Sequence, residues 1–354
     1  MRVKLATLII VGAFGLSAPA LAWDYPGHRI VGAIADGVLQ QHYPHTYKRV
    51  SDLLEIKRPG DLWQKRTLRE VAVFPDCAKK GNEAYCGRPS SEEELSYAEH
   101  NPQNDKFHYT DVPLQQPKYQ VGLAGTEDTD VVHMIGFLVE YLRTVGDAPP
   151  TRPQKKGVRL TDTEAIWLLA HLVGDIHQPL HVGAKYYDKT CVTSVDPNTV
   201  GGLANVAQTV GGNLIYIAPK APIVPPAGNL HLFWDSTTVL RAMKMSGQLG
   251  NEQEYAKALA GSPPTGWDNM TDPAEKWAEQ WATEIMPRAT EAHDRLTITK
   301  GPKPSPFFAT GGCTWETTVD DGYQDWAAKV AEEQVKKAGF RLAALLVAIF
   351  PNKP

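Results

Sequence analysis

Apolar residues recur at helical spacing along most of this chain. Between residues 27 and 41 they fall three or four positions apart, which is the pattern of a helix with one buried face. The same spacing predicts helices at residues 61–74, 129–145, 161–177, 235–245, 273–296 and 323–350. Strand patterns are few, and residues 213–218 are the best candidate. We therefore predict an all-α fold that also contains a short β hairpin.

The predicted helices are joined by surface connections rather than by domain linkers. Thr161 and Glu164 form a capping-box pattern at the start of one helix. Proline-rich stretches lie at residues 148–153, 219–226 and 302–306, without a charge run or a change in composition. The sequence has no internal repeat. A single compact, mostly helical domain is the simplest assignment.

The N-terminal residues 1–22 have the pattern of a secretory signal peptide. Arg2 and Lys4 precede an uncharged apolar stretch at residues 5–16, and a small-x-small cleavage motif ends at Ala22. The alternative is an N-terminal anchor helix, but the apolar stretch is short for a membrane span. Cleavage would leave a domain of residues 23–354 that begins at Trp23. We expect this domain to be secreted or periplasmic, without stable membrane association.

Cysteine usage agrees with export. The chain has four cysteines, Cys77, Cys86, Cys191 and Cys313, and an even number in an exported protein indicates two disulfides. A Cys77–Cys86 bridge with a Cys191–Cys313 bridge is the simplest of three pairings, and the spacing does not decide among them. No four-cysteine zinc spacing is present, so cysteine does not account for metal binding.

The charge balance limits how the chain can bind a polyanion. The formal net charge is −4, so a basic surface alone cannot hold nucleic acid. Local positive charge, for example from bound metal, would be required.

Two histidine–aspartate pairs form the strongest chemical pattern. His171 and Asp175 stand four residues apart, as do His231 and Asp235, and on a helix each pair shares one face. One such pair is more often explained by capping or by core hydrogen bonds. Two pairs together with His181 on apolar segments favour metal binding, because coordination satisfies polar groups that are costly to bury alone.

Further ligands can be proposed upstream. His28 lies five residues after Trp23, and Asp76 and His108 follow predicted apolar segments. The free α-amine and the carbonyl of Trp23 could chelate a metal once the signal peptide is removed. Each of these residues taken alone is more often structural than functional.

Four motifs together resemble the zinc-dependent single-strand nucleases and 3′-nucleotidases of fungi, plants and bacteria. They are WDYPGH at 23–28, HLVGDIHQPLH at 171–181, GGN at 211–213 and NLHLFWD at 229–235. The resemblance covers nearly the whole chain after residue 22. It implies an all-helical fold with a three-zinc active-site cleft.

The resemblance also implies a set of ligands for three Zn²⁺ ions. One ion would take Asp76, His108, His171 and Asp175. Its neighbour would take the amine and carbonyl of Trp23, with His28 and Asp175, so that Asp175 bridges the pair. The third would take His181, His231 and Asp235. Three Zn²⁺ against three aspartates leave a local charge of about +3, which suits a phosphate substrate.

The implied activity is hydrolysis of single-stranded DNA and RNA to 5′-phosphate products, together with removal of 3′-phosphates from nucleotides. Water activated at the zinc pair would attack phosphorus, so no protein nucleophile is needed. Asp76, Lys79 and Asp175 are the candidate catalytic residues. Lys79 stands where the family commonly has arginine, and a solvated loop lysine is the alternative.

The resemblance places a base-binding pocket near Tyr109 and Asp111. A tyrosine face can stack on any base, whereas Asp111 could accept a base N–H or merely cap a turn. Asn213 would help to shape the pocket, or else serve a turn. The segment 182–210 is longer than the family pattern leads us to expect, and we predict that it alters the rim of the cleft. His177 is interpreted as a packing residue or as a residue that supports the metal ligands from behind.

Two other functions fit the same residues. A phospholipase C of the same superfamily would have a similar metal cluster, but its last ligand is typically glutamate, and Asp235 stands here. A non-catalytic zinc-binding protein would close each ion with four protein ligands, whereas the third set has three. A monomer is the default expectation, with single-stranded nucleic acid and 3′-nucleotides as substrates.

Overall fold

The computed structural model describes residues 23–55, 66–79, 86–145, 152–218, 228–305 and 312–351. This part of the chain is mainly helical, which confirms the predicted all-α class. The helices are α1 Tyr25–His42, α2 Pro44–Leu54, α3 Leu68–Val71, α4 Phe74–Cys77, α5 Glu92–His100, α6 Val131–Arg143, α7 Asp162–Asp175, α8 Leu230–Leu232, α9 Thr238–Met245, α10 Glu252–Ala260, α11 Trp277–Asp294 and α12 Asp321–Ile349. The proposed signal peptide lies outside the described residues.

Helix α7 lies at the centre of the main core. Every residue from Ala165 to Asp175 is buried, because α7 packs against α2, α4, α6 and α12. Its start is fixed by the predicted capping box. The Thr161 side chain accepts the backbone N–H of Glu164, and the Glu164 side chain accepts the backbone N–H of Thr161. His171 and Asp175 therefore enter the interior on a helix enclosed by apolar side chains.

Helix α1 crosses α12 at close range. A Cβ atom at Gly339 of α12 would lie 2.5 Å from the Cβ of Ile34, so the contact requires glycine. The first turn of α1 places Trp23 and His28, both buried, beside the last turn of α7. The packing of these long helices thus brings Trp23 and His28 into the interior of the described part of the chain.

Two of the predicted helices differ clearly from the structure near their start. Within the described part of segment 61–74, Thr67 caps a helix that begins only at Leu68, and residues 56–65 lie outside the description. The helix predicted at 235–245 begins earlier, at Leu230, because the Asn229 side chain accepts the N–H of Leu232. A π-helical turn, Phe233–Thr237, joins α8 to α9. His231 and Asp235 consequently both lie on helical turns.

The strands are short apart from one hairpin. They are β1 Val112–Pro113, β2 Gly183–Ala184, β3 Tyr186–Tyr187, β4 Ala207–Gln208, β5 Ile215–Ile217, β6 Thr297–Ser305 and β7 Gly312–Thr318. The predicted strand at 213–218 contains β5, which pairs parallel to β7, while β6 and β7 form the antiparallel hairpin. Part of the predicted proline-rich connection at 302–306 is therefore strand. The edge position of β6 tolerates Pro302 and Pro304.

The two disulfides, Cys77–Cys86 and Cys191–Cys313, have the pairing expected as the simplest of three. The first lies directly beside Asp76 on α4, and the second joins the 182–210 segment to β7. No helix within the described ranges is both long enough and apolar enough to cross a membrane.

Candidate metal centre

Imidazole and carboxylate groups from five segments of the chain converge in the interior. Two overlapping groups share His171 and form what we call the Asp175 cluster, which consists of His28, Asp76, His108, His171 and Asp175. A separate group, the Asp235 cluster, consists of His181, His231 and Asp235. Within each group the possible ligand atoms lie within 4.8 Å of one another, and every member is buried. All eight side chains predicted as ligands thus lie in the clusters.

Asp175 has a central position in its cluster. Its Oδ1 lies 3.2 Å from His28 Nε2, while its Oδ2 lies 3.0 Å from His108 Nδ1 and 3.2 Å from His171 Nε2. The two oxygens therefore face different histidines. This is the arrangement that a carboxylate bridging two ions requires.

The Asp235 cluster is smaller and simpler. His181 Nε2 and His231 Nε2 lie 3.0 Å apart. Asp235 faces both rings, with oxygens 3.7 Å from His181 Nε2 and 3.6 Å from His231 Nε2. Its Oδ2 is buried and accepts no hydrogen bond within the described part of the chain.

Backbone carbonyls fix the tautomers of three of these histidines. His171 Nδ1 donates to Ala72 O at 2.6 Å, His181 Nδ1 to His108 O at 2.7 Å, and His231 Nδ1 to Gly211 O at 2.7 Å. Each neutral ring then presents an unprotonated Nε2 to its cluster. In the Asp235 cluster two such lone pairs face each other, which is repulsive unless a cation lies between them. The donor set therefore fits a divalent metal such as zinc.

Burial shifts the pKa values of these side chains in the directions that favour binding of a cation. It lowers the pKa values of His28, His171 and His231 to about 4, so these imidazoles are neutral, as ligands must be. Burial raises the pKa of Asp235 to about 8, because no cationic side chain contacts that carboxylate within the described residues. A bound cation would reverse this shift.

Lys79 compensates charge in the Asp175 cluster. Its Nζ lies 2.7 Å from Asp76 Oδ1, and only 9% of the side chain is exposed. Burial alone would raise the pKa of Asp76, but the Lys79 ammonium holds it below its usual value. The alternative of a solvated loop lysine therefore does not describe this residue.

Trp23 and Asp24, which precede α1, are packed against the site. Trp23 is fully buried, and the Asp24 N–H donates to the Asp235 carbonyl at 2.9 Å. Gly174 makes room for His28, whose Nδ1 lies 2.7 Å from where a Cβ at that position would be. The N-terminal turn thus contacts both clusters, and the ligand role of the Trp23 amine stays a prediction.

A pocket is lined by Tyr109 and Asp111, which follow His108 closely in the chain. That this pocket binds a base stays a prediction. Thr110 N donates to His181 O at 2.8 Å, which ties this segment to the Asp235 cluster. Burial raises the pKa of Asp111 to about 7, and its carboxylate accepts no hydrogen bond from the described residues. The other lining residues are Lys106, Gly125, Glu127, Asp130, Tyr186, Leu203 and Gln208.

Leu203 and Gln208 were missed as individual residues by the sequence analysis. Both belong to the 182–210 segment, which was predicted to alter the cleft rim and does form part of this pocket wall. Hydrogen bonds from Gln116 to Asp196 and from Ala124 N to Asn198 hold the segment against the opposite loop. No local sequence signal marks these long-range contacts.

Asn213 lies in a turn that serves the Asp235 cluster. Its side-chain amide donates to Val210 O at 2.9 Å. Val210, Gly211 and Gly212 have positive φ angles of 52°, 53° and 88°, a conformation that favours glycine. This turn presents the Gly211 carbonyl to His231. A contact of Asn213 with substrate stays a prediction.

His177 contacts neither cluster. Its Nδ1 donates to Val173 O at 2.7 Å, and its Nε2 accepts from Arg341 Nη1 at 3.0 Å. The ring therefore joins the end of α7 to α12, in agreement with its interpretation as a packing residue. The next residue, Gln178, was not singled out from the sequence, although it stands inside the motif between Asp175 and His181.

Comparisons with known proteins agree with this site. The model of a family described as S1/P1 nuclease matches residues 23–351. Endonuclease 4 of Arabidopsis thaliana is 24% identical over 365 residues, covering 100% of this chain and 95% of that protein. Endonuclease 3 of the same plant is 24% identical, covering 94% and 91%. Endonuclease 2 is 28% identical over 194 residues, covering 53% and 52%.

Proposed function

Since this chain belongs to the S1/P1 nuclease family, we propose that it is a secreted, zinc-dependent phosphodiesterase that cuts single-stranded DNA and RNA. Its products carry 5′-phosphates, and it also removes 3′-phosphates from nucleotides. The observation that supports this function best is the convergence of five histidines and three aspartates, all buried, in two adjoining clusters. So many polar groups are buried together only where an ion satisfies them.

The chain would hold three Zn²⁺ ions. Asp76, His108, His171 and Asp175 serve one ion, and Trp23, His28 and Asp175 serve its neighbour. His181, His231 and Asp235 serve the third. Zinc in these positions supplies Lewis acidity and activates water at neutral pH, so no side-chain nucleophile is required. Three protein ligands at the third ion leave room for substrate.

The remaining side chains position the substrate. Lys79 lies against Asp76 with its ammonium at the edge of the Asp175 cluster, where it stabilises negative charge that develops on phosphate. Tyr109, which is 37% exposed, offers a ring face for stacking on a base. Asp111, whose carboxylate accepts no hydrogen bond from the part of the chain that the structure describes, accepts a base N–H. Because stacking tolerates every base, the pocket suits single strands of mixed sequence.

Removal of the signal peptide during export would supply the last ligand of the site. Removal of residues 1–22 would free the α-amine of Trp23, which the fold buries beside His28 and α7. The two disulfides are in keeping with an oxidising compartment. The working form is then a monomer of residues 23–354 that acts outside the cytosol.

A substrate comparison tests this proposal. The zinc-loaded chain of residues 23–354 is incubated with single-stranded DNA, single-stranded RNA, a 3′-nucleotide and phosphatidylcholine vesicles. We expect hydrolysis of the first three and none of the lipid, and Asp175→Asn is the inactive control. Turnover of phosphatidylcholine alone would assign the chain to the phospholipases C. A zinc-replete protein inactive on all four would indicate a non-catalytic zinc-binding protein.

A further inference from the structure

Gln178 lies between the two clusters in the sequence, and its side chain is completely buried. Its Nε2 donates to Asp235 Oδ1 at 2.6 Å, and its Oε1 accepts the N–H of Leu180 at 2.5 Å. A carboxylate only accepts and a backbone N–H only donates. The two partners therefore allow the amide one orientation.

These two bonds act on two ligands of the Asp235 cluster. The bond to Oδ1 fixes the plane of the Asp235 carboxylate and leaves Oδ2, which lies 3.6 Å from His231 Nε2, without a hydrogen bond from any described residue. The bond to Leu180 holds the 3₁₀ turn Pro179–His181, which carries the other histidine. One side chain thus joins ligands that stand more than fifty residues apart in sequence.

The group that donates to Asp235 is a neutral amide and not a cation. A neutral amide orients Asp235 without neutralising it, so the carboxylate keeps its charge for a cation. Asp76 of the other cluster is instead paired with the Lys79 ammonium. Groups that orient metal ligands in this way commonly change metal affinity about 10- to 100-fold when they are removed.

We propose that Gln178 is a positioning residue that sets the metal affinity of the Asp235 cluster, and that it acts through both Asp235 and the turn of His181. The inference rests on the proposed function only in that the Asp235 cluster binds a metal ion.

Two substitutions separate this role from simple capping of the turn. Gln178→Met fills similar space and removes both hydrogen bonds. Gln178→Glu retains an oxygen for the Leu180 N–H but places a second carboxylate against Asp235. Gln324→Met is the matched control, because Gln324 is also buried and accepts a hydrogen bond from Arg241, which belongs to neither cluster.

Zinc binding is measured by competition with a chelator, and the site is followed by the absorption of Co²⁺ in its place. In Gln178→Met we expect one ion to bind about 10- to 100-fold more weakly, with the other ions unchanged. In Gln178→Glu we expect an altered Co²⁺ spectrum. Wild-type affinity and spectrum in Gln178→Glu would overturn the proposal and leave Gln178 as a cap of the turn.

Thermal unfolding gives a second measure of zinc affinity for a variant that is less stable than wild type. Zinc that binds only the folded state raises Tm, and the size of the rise reports affinity. We expect a smaller rise in Gln178→Met than in Gln324→Met. A lower Tm without zinc but a full rise with zinc would contradict the proposal. Wild-type protein that binds three ions yet cuts no nucleic acid would contradict the proposed function alone.

Discussion

The Asp175 and Asp235 clusters use the same donor types but are built differently. The Asp175 cluster gathers side chains from α1, α4, α7 and the segment around His108, and the Lys79 ammonium lies beside its Asp76. The Asp235 cluster takes its ligands from two short segments, and among the described residues the neutral amide of Gln178 is the side chain that donates to its carboxylate. One site is held by helix packing and charge, whereas the other is held by turns and by the hydrogen bonds that join them to distant residues.

This difference has a consequence for assembly. The Asp175 cluster depends on correct packing of α1 against α7, because a shift of either helix separates His28 from Asp175. The Asp235 cluster depends on the turn Pro179–His181 and on two backbone carbonyls, those of His108 and Gly211, which accept hydrogen bonds from His181 and His231. We therefore expect perturbations of the two clusters to have separate effects on metal content.

The largest expected effect comes from Asp175→Asn. Since Asp175 faces both halves of its cluster, the variant should lose about two zinc ions and at least about 1,000-fold in kcat/KM, which corresponds to about 4 kcal/mol. Asp235→Asn should lose one ion. Metal analysis and nuclease assays of both variants provide the measurement. Equal metal loss in the two would contradict the bridging role of Asp175.

A residue left before Trp23 should have the next largest effect. An extended chain lacks the α-amine at position 23, so one ion of the Asp175 cluster should be lost while the Asp235 cluster keeps its own. We expect kcat/KM to fall about 100-fold, on the scale of a lost charge-stabilising group. The control carries the same extra residue at the C-terminus. Identical zinc content in the two proteins would exclude the amine as a ligand.

Lys79→Met should weaken catalysis more than metal binding. The loss of positive charge beside Asp76 is expected to lower kcat about 10- to 100-fold, with three ions retained. Lys79→Arg keeps the charge and should recover most of the rate. Steady-state kinetics on a 3′-nucleotide measure both variants. A methionine variant with a normal kcat would show that Lys79 serves only the fold.

Tyr109→Ala lies outside both clusters and should leave their metal content intact. Loss of one stacking face is expected to cost about 1–3 kcal/mol, seen as a rise in KM for short oligonucleotides. Tyr109→Phe retains the ring and serves as the control. An unchanged KM in the alanine variant would remove Tyr109 from the substrate site.

The smallest expected effect concerns the pH dependence of stability. Burial raises the pKa of Asp111 from 3.8 to about 7, so the folded protein keeps a proton that the unfolded chain has lost. The contribution of this proton to the free energy of unfolding is therefore complete below about pH 4, and it is lost as the pH rises through about 7. Asp111→Asn should melt higher than wild type at pH 8 by more than at pH 4, measured without metal. An equal difference at both pH values would contradict the shift.

The two histidine–aspartate pairs could be predicted from short-range geometry, whereas the place of His28, Asp76 and His108 beside them was implied by the resemblance. His171 and Asp175 share a helix face at any position in a fold, and Pro179 ends that helix so that His181 turns back towards it. The capping box at Thr161 was equally local. Ser91 and Glu94 form the same capping pattern at the start of α5, so that helix was also within reach of the sequence.

The pocket wall and the position of the β6–β7 hairpin could not be predicted in the same way. Leu203 and Gln208 reach Tyr109 only because the 182–210 segment folds over a distant loop, and such contacts leave no periodic pattern. The prolines of β6 led to the prediction of a loop, because proline is compatible with a strand only at the edge of a sheet, and β6 is such an edge strand. Gln178 was overlooked because its partner, Asp235, is distant in sequence.

The Cys191–Cys313 bridge affects what happens when a protease cleaves the chain. The stretch beside Cys191 is open to solvent, with Val192 69% exposed, and exposed loops are where chains are usually nicked. A cut there would leave two polypeptides that the bridge still holds together. The nicked molecule would migrate as a single band on a gel until a reductant released its two fragments.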